Sequence, residues 1–320
     1  MSTQGGNRAI FAALAANLGI AATKLVAFLL TRSSSMLAES IHSAADSANQ
    51  FMMLLGGRRS RRDPDDLHPF GYGRSRYIAA FVVSIVLFSM GGLFALYEAF
   101  HKFRHPEPIT SWQWVPLAVL VVSILLEGRS LWVGLHEASG ARGGLSLAGY
   151  IRQSRAPEIP VIVMEDIAAL TGLVFALVGV SATLATGDGR WDAVGSGAIG
   201  VLLVAVALFL ATEVGSMLIG ESATPEVRES IRRAILGADG AGVGTGTDEG
   251  AGGALRAVLT LRTLHTGPDQ ILVACRFACD PEANGREIAE AINAAEVRIR
   301  SAVALDCLIF LEPDLEARPS

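Results

Sequence analysis

The chain has 320 residues, 51% of them hydrophobic and only 18% charged, where a soluble domain carries about 25% charged residues. Its mean hydropathy of +0.43, net charge of -5 and pI near 5.7 point to lipid and leave no basic footprint for nucleic acid. Three cysteines, Cys275, Cys279 and Cys307, are too few and too clustered for a disulfide framework in a chain of this size.

The first ten residues, MSTQGGNRAI, lack a charged n-region, and the apolar run behind them is too long for a signal peptide. That run reads as a retained membrane helix. Six segments are long and apolar enough to cross a hydrocarbon core of about 30 Å. They fall at roughly 8–31, 34–57, 77–100, 113–138, 160–185 and 192–218. The first holds Asn17 and Lys24, and Lys24 either snorkels or faces the bundle interior. The fourth is interrupted by Glu127 and Arg129, and the fifth contains Glu165 and Asp166. The sixth, VGSGAIGVLLVAVALFLA, repeats the small residues that favour helix contact in lipid.

Orientation follows the Lys/Arg bias of the short loops. Arg58, Arg59, Arg61, Arg62, Arg74 and Arg76 flank or fill the loop after the second span, and Arg142, Arg152 and Arg155 follow the fourth. These loops are expected on the cytoplasmic side, and with six spans both termini join them. With Met1 a few residues from the first span and no transit peptide, a bacterial plasma (inner) membrane is the expected location.

Residues 1–219 therefore form an expected transmembrane domain and 220–320 a soluble one. TPEVRESIRRAIL opens with a Thr N-cap, Pro and an acid in the first turn, as a helix should. A Gly-rich loop at about 237–253 follows. Next come ALRAVLTLRTLH, alternating as a half-buried strand does, the turn TGPD and the strand QILVACRFAC. NGREIAEAINAAEVRIR reads as a helix with Ile288, Ala291, Ile292 and Ala295 on one face, and VALDCLIFLEP as a third strand. The order α-β-β-α-β predicts a small α+β domain with helices on one face of a sheet.

The chemistry concentrates in SMLAESIHSAADSANQ, residues 35–50. On a helix Glu39, His42 and Asp46 share one face. An isolated ionised acid in lipid costs at least about 2.5–3.5 kcal/mol, so three such groups require a partner or a wet cavity. Glu165 and Asp166 of the fifth span offer more acids, and if the two helices pack, four carboxylates and an imidazole converge. A divalent cation answers that charge. One imidazole with two or three carboxylates suits tetrahedral Zn²⁺, and Fe²⁺, Co²⁺ or Mn²⁺ are compatible. Interior polar glue, or a proton relay without metal, is the plainer alternative.

SMLAESIHSAADSANQ, the loop DPDDLHPFGYGRSRY and VIVMEDIAALTGLVFALVGV together resemble the cation diffusion facilitator family. With MLIGESATPEV at the exit of the sixth span, they look most like its branch that includes the mitochondrial zinc exporter. The resemblance runs from about residue 8 to 312. It implies six transmembrane helices, a cytoplasmic ferredoxin-like domain, a homodimer and metal efflux driven by protons. The family's second-helix pair matches His42 and Asp46. Of its fifth-helix His and Asp, four apart, Asp166 matches the aspartate, but Ile162 stands where the histidine would be. Glu39 or Glu165 is the candidate replacement, which makes a more oxygen-rich site plausible. Asp65 or Asp66 with His68 match part of a loop metal site, with Tyr72 where an imidazole is expected.

The expected function is divalent cation efflux by alternating access, Zn²⁺ foremost, with protons competing for the same ligands and His42, of reference pKa about 6.5, as the natural switch. The membrane-side expectation is metal as cargo and no prosthetic group. A membrane-anchored metal sensor or scaffold is the rival reading. An enzyme is disfavoured, because neither HExxH nor a phosphate-binding glycine motif occurs. His265, Cys275 and Cys279 form a weaker candidate cluster in the soluble domain.

Overall fold

The computed structural model describes residues 18–106, 112–142, 144–237 and 254–315. The start of the first predicted span, with Asn17, and nearly all of the Gly-rich loop lie outside the described residues. The chain divides into two compact units: one runs to Arg59 and resumes over Ser75–Gly215, and the other joins Ser60–Arg74 to Ser216–Ser320.

The first unit is helical. α1 (Leu18–Thr31) turns at Arg32 into α2 (Ser34–Arg59). α3 (Ser75–Val86) continues through a π-helical segment, Leu87–Leu93, into α4 (Phe94–Arg104). α5 (Trp114–Ala141), the short α6 (Leu147–Gln153), α7 (Glu158–Thr186) and α8 (Arg190–Ile219) follow. Among the described residues four helices are long and apolar enough to cross a membrane: Ser75–Arg104, Trp114–Gly140, Glu158–Thr186 and Arg190–Ile219. α2 is nearly as long, at 26 residues, but its polar face separates it from them. The outer surface is apolar: Leu125 is 69% exposed and Val178 63%. Such residues need cover in water and none in hydrocarbon.

The observed helices match the last four predicted spans and extend each by a few residues. Two features were not expected. α6 is a single capped stretch in which Ser146 Oγ accepts the Gly149 N–H. The π segment lies where Gly91 and Gly92 leave room for α8: a Cβ on Gly92 would sit 2.6 Å from Val204 Cγ2. α7 stops at Gly187, whose φ of 74° is a left-handed cap that a side chain would strain.

In the second unit, α9 (Pro225–Leu236) starts as the sequence predicts, with Thr224 Oγ1 accepting the Val227 N–H. β1 (Leu255–Gly267) and β2 (Gln270–Cys279) form an antiparallel hairpin. α10 (Gly285–Ala302) opens with a capping box between Asn284 and Glu287 and returns the chain to β3 (Asp306–Asp314), parallel to β2. The sheet order is β1-β2-β3. Alternation along β2 puts Ile271, Val273, Cys275, Phe277 and Cys279 into one core with Ile231 and Ile235 of α9 and Ala295 and Ile299 of α10. Ile288, Ala291 and Ile292 pack against that core at its edge.

Candidate metal centre

α2 presents Glu39, His42, Asp46 and Asn49 at spacings of three and four, so the helix itself aligns them on one face. Glu39, His42, Ser43 and Asn49 are buried, and the Asp46 side chain is 16% exposed. His42 Nδ1 lies 3.6 Å from Asp46 Oδ1, too long for a hydrogen bond. Among the described residues, neither ring nitrogen of His42 nor Asp46 Oδ1 has a hydrogen-bond partner. Buried polar atoms without partners are costly, and an imidazole beside a carboxylate is the donor set a divalent cation takes.

α7 packs against this face. Asn49 Nδ2 donates to Glu165 Oε1 at 2.6 Å. Further along, a Cβ on Gly172 would fall 3.0 Å from Glu39 Oε1, so the glycine leaves room for that carboxylate. The order of these two rungs, Asn49 with Glu165 and Glu39 with Gly172, makes the helices antiparallel. His42 and Asp46 fall between the rungs on α2, and Asp166 falls between them on α7. Successive residues on a helix point about 100° apart, and the two acids of α7 divide accordingly. Glu165 turns to α2, while Asp166 Oδ2 accepts a hydrogen bond from Ser130 Oγ of α5 at 3.0 Å.

Glu39 has a different partner. Lys24 Nζ of α1 lies 3.1 Å from Glu39 Oε2 and donates to Ser43 Oγ at 2.8 Å. The pair is buried, with Lys24 1% and Glu39 0% exposed. Of the two roles open to Lys24 in sequence, the structure selects the interior one. Ile162, in the place of the family's histidine, is 42% exposed and supplies no ligand.

Glu127 of α5 is the acid that spacing arguments passed over. It interacts electrostatically with Lys24, Asp46, His42 and Glu39, and with Asp166. Its signal in the sequence was simply an ionisable residue at membrane depth, which is a functional candidate by default. Among the described residues no three His, Cys, Asp or Glu groups already stand around a common metal position. The side chains line one polar interior without forming a closed shell.

The loop candidates have structural work. Asp65 Oδ1 accepts the N–H groups of Leu67 and His68, and the Tyr72 hydroxyl donates to Asp65 Oδ2 at 2.6 Å. The Tyr72 hydroxyl foremost, then the His68 N–H, hold the Asp65 carboxyl below its usual range. His68 lies against the Tyr72 ring, centroids 4.3 Å apart, and Asp66 is exposed. A cation here would displace bonds that shape the loop. In the second unit Cys275, Cys279 and Cys307 are free thiols in the sheet core, and burial pushes Cys275 up to about 11. That is the setting of packed, inert cysteines. His265 is buried at the end of β1.

Carboxylates and one imidazole among helices long and apolar enough to cross a bilayer mark an integral membrane protein with a polar cluster in its helical unit. The model of the cation efflux transmembrane domain matches residues 10–219, and the chain belongs to that family, the cation diffusion facilitators. Its relatives include the mitochondrial proton-coupled zinc antiporter SLC30A9. The Xenopus laevis protein is 40% identical over 205 residues, 63% of this chain and 36% of that protein. The human one is 36% identical over the same length. Metal tolerance protein C4 of Arabidopsis thaliana is 31% identical over 226 residues, 69% of this chain and 49% of that protein. Zinc transporter ZitB of Escherichia coli is 31% identical over 132 residues, 41% of each chain. The matched part of the chain thus spans about a third of the SLC30A9 proteins and half or less of the others.

Proposed function

We propose that the chain exports a divalent metal cation, Zn²⁺ foremost and Mn²⁺, Fe²⁺ or Co²⁺ as further candidates, in exchange for protons by alternating access. The observation that carries this reading is His42 and Asp46, whose ring nitrogens and Oδ1 make no hydrogen bond among the described residues, between two rungs that bring Glu165 of α7 alongside. His42, Asp46 and Asp166 are the core ligands, with Glu165 as the fourth. Metal and protons compete for these donors, so protonation on the far side drives release. The names of the relatives, zinc antiporters and zinc transporters, support both zinc and proton coupling.

The wider architecture belongs to the same proposal. α1 and α2 join the four apolar helices to make six spans, with residues 1–219 as the membrane domain. Residues 220–320 form a cytoplasmic ferredoxin-like domain, a reading supported by the helix–strand order α9-β1-β2-α10-β3. The excess of arginine in the loops after the second and fourth spans supports a cytoplasmic side for those loops and for both termini. Homodimerisation through the second unit is part of the same proposal.

The test is uptake of radioactive Zn²⁺ into inverted vesicles under an imposed pH gradient, with Mn²⁺, Fe²⁺ and Co²⁺ as competitors. Gradient-dependent uptake lost in Asp46→Ala and Asp166→Ala is the expected result. Wild type that binds metal but never moves it would favour the sensor reading instead.

A further inference from the structure

We propose that Lys24 is a resident counter-cation of the metal path: it holds Glu39 out of the coordination shell and weakens metal binding enough for release. This rests on the transport reading above and assigns a residue, outside the ligand set, that sets its affinity.

Three observations carry the proposal. Lys24 is fully buried and hydrogen-bonded to both Glu39 and Ser43, the residue next to His42. Glu39 Oε1 has no hydrogen-bond partner and faces the bare backbone of Gly172, so Lys24 is the group that balances this acid. The charge on Lys24 also reaches His42, Asp46 and Glu127. An ammonium there repels a dication bound between His42 and Asp46.

The physical need is clear from the acids alone. Glu39 and Glu165 are buried, Asp46, Glu127 and Asp166 are half-buried, and these acids act on one another; away from bulk water opposite charges attract more strongly. A dication in that field without a resident cation is held too tightly, and conduction requires a site weak enough to leave. Lys24 lowers the field by one unit of charge. It also keeps Glu39 paired, which answers the question left by Ile162: the missing histidine is not replaced by Glu39.

The test uses the full chain, with Zn²⁺ alone as the probe, titrated in detergent for Kd and followed in proteoliposomes for KM and maximal rate. Lys24→Gln should lower Kd and KM at least tenfold and lower the maximal rate, because release slows. Glu39→Gln leaves the ammonium with Ser43 alone and should raise Kd at least tenfold. The double variant K24Q/E39Q should return Kd to within threefold of wild type. A purely structural pair would lower thermal stability in both single variants without moving Kd in opposite directions, and that pattern overturns the proposal. An unchanged or raised Kd in a folded Lys24→Gln protein also overturns it. Where Lys24→Gln does not fold, Glu39→Gln against the double variant isolates the same charge, and equal Kd values refute it. Wild type that binds Zn²⁺ without moving it sinks the transport reading, while the Kd comparison still decides Lys24. Wild type that neither binds nor moves Zn²⁺ overturns both.

Discussion

Glu165→Gln separates a ligand from a rung. The carboxylate accepts a 2.6 Å hydrogen bond from Asn49, and the glutamine amide keeps an oxygen to accept it. Hydrogen bonds to charged groups contribute about 1.5–3 kcal/mol and neutral ones about 0.5–1.5, so the variant should lose about 1 kcal/mol. In detergent that is a fall of a few degrees in the melting midpoint. The charge, however, is gone, and if Glu165 is the fourth ligand KM for Zn²⁺ should rise at least tenfold with the protein intact. Asn49→Leu is the complementary change: it keeps the charge, removes the donor and should cost about 1.5–3 kcal/mol or more, read as a larger melting shift. Zinc uptake kinetics and thermal unfolding on the same three preparations decide the matter. A wild-type KM in Glu165→Gln would refute the ligand role and leave Glu165 as a tie between α2 and α7.

Other expectations follow from close contacts and from titration. A Cβ on Gly73 would lie 2.7 Å from the Thr266 carbonyl oxygen and 3.0 Å from Gly267 Cα, both backbone atoms, so Gly73→Ala must push the loop off the β1–β2 turn. The expected cost is about 1–3 kcal/mol, with faster hydrogen exchange at that turn as the readout. Gly200→Ala brings a Cβ to 2.9 Å from Leu96 N and should destabilise the protein by a similar amount, about 1–3 kcal/mol. Gly128→Ala, with nothing within 4 Å, should be neutral or stabilise by up to about 1 kcal/mol. Equal melting shifts for those two would contradict the packing argument. With Cys275 pushed up to about 11, a thiol reagent at pH 8 should leave it unmodified in the folded protein and label it only after denaturation. The Asp65 carboxyl is depressed when folded, so its contribution to loop order is present above the ordinary carboxylate pKa of about 3.9 and is lost as pH falls through the lower folded value. Hydrogen exchange at Leu67 and His68 should therefore be insensitive to pH near neutrality, after correction for intrinsic rates, and lose protection only in acid.

Periodicity made much of this legible in advance. The spacing of Glu39, His42 and Asp46 gave their shared face, and the TGPD turn before QILVACRFAC marked β2, which runs from Gln270 to Cys279. The Thr224-Pro225 pair marked the start of α9. What spacing cannot give is the neighbour. Glu165 and Asp166 are adjacent in sequence, and nothing local says that one turns to α2 and the other to α5. Lys24 had two physically acceptable fates, and only the position of Glu39 and Ser43 on α2 chooses between them. Glu127 interrupts an apolar run with no periodic companion, so it read as a blemish rather than a member of the cluster. The π segment lies in LFSMGGL, where a change of hydrogen-bond register leaves no mark on composition. Its cause is tertiary, the approach of α8 to Gly91 and Gly92.

The contacts of α7 bear on how such an interior can open. Toward Thr186, a Cβ on Gly179 would meet the Trp191 carbonyl oxygen at 2.9 Å and Gly195 Cα at 3.2 Å, so α7 and α8 touch backbone to backbone. The same end is tied by Thr183 Oγ1, which accepts the Asp192 N–H at 2.9 Å, and by Ser33 Oγ, which donates to the Asp192 carboxylate. Toward Glu158 the ties are side chains: the Arg76–Glu158 ion pair, part-exposed on both partners, the Tyr77 hydroxyl on the Arg155 carbonyl, and the apolar cluster of Ile159, Val163 and Ile167 with Leu131, Leu135 and Ala138 of α5 and Leu147 and Tyr150 of α6. Moving the Thr186 end means separating interlocked backbones. Moving the Glu158 end means sliding side chains past one another, and of its polar ties the part-exposed ion pair contributes only about 0–1 kcal/mol. Glu165 and Asp166 lie on the half of α7 nearer that end. The acids therefore sit where α7 meets its neighbours through side chains, while the Gly179 contact toward the other end is backbone against backbone.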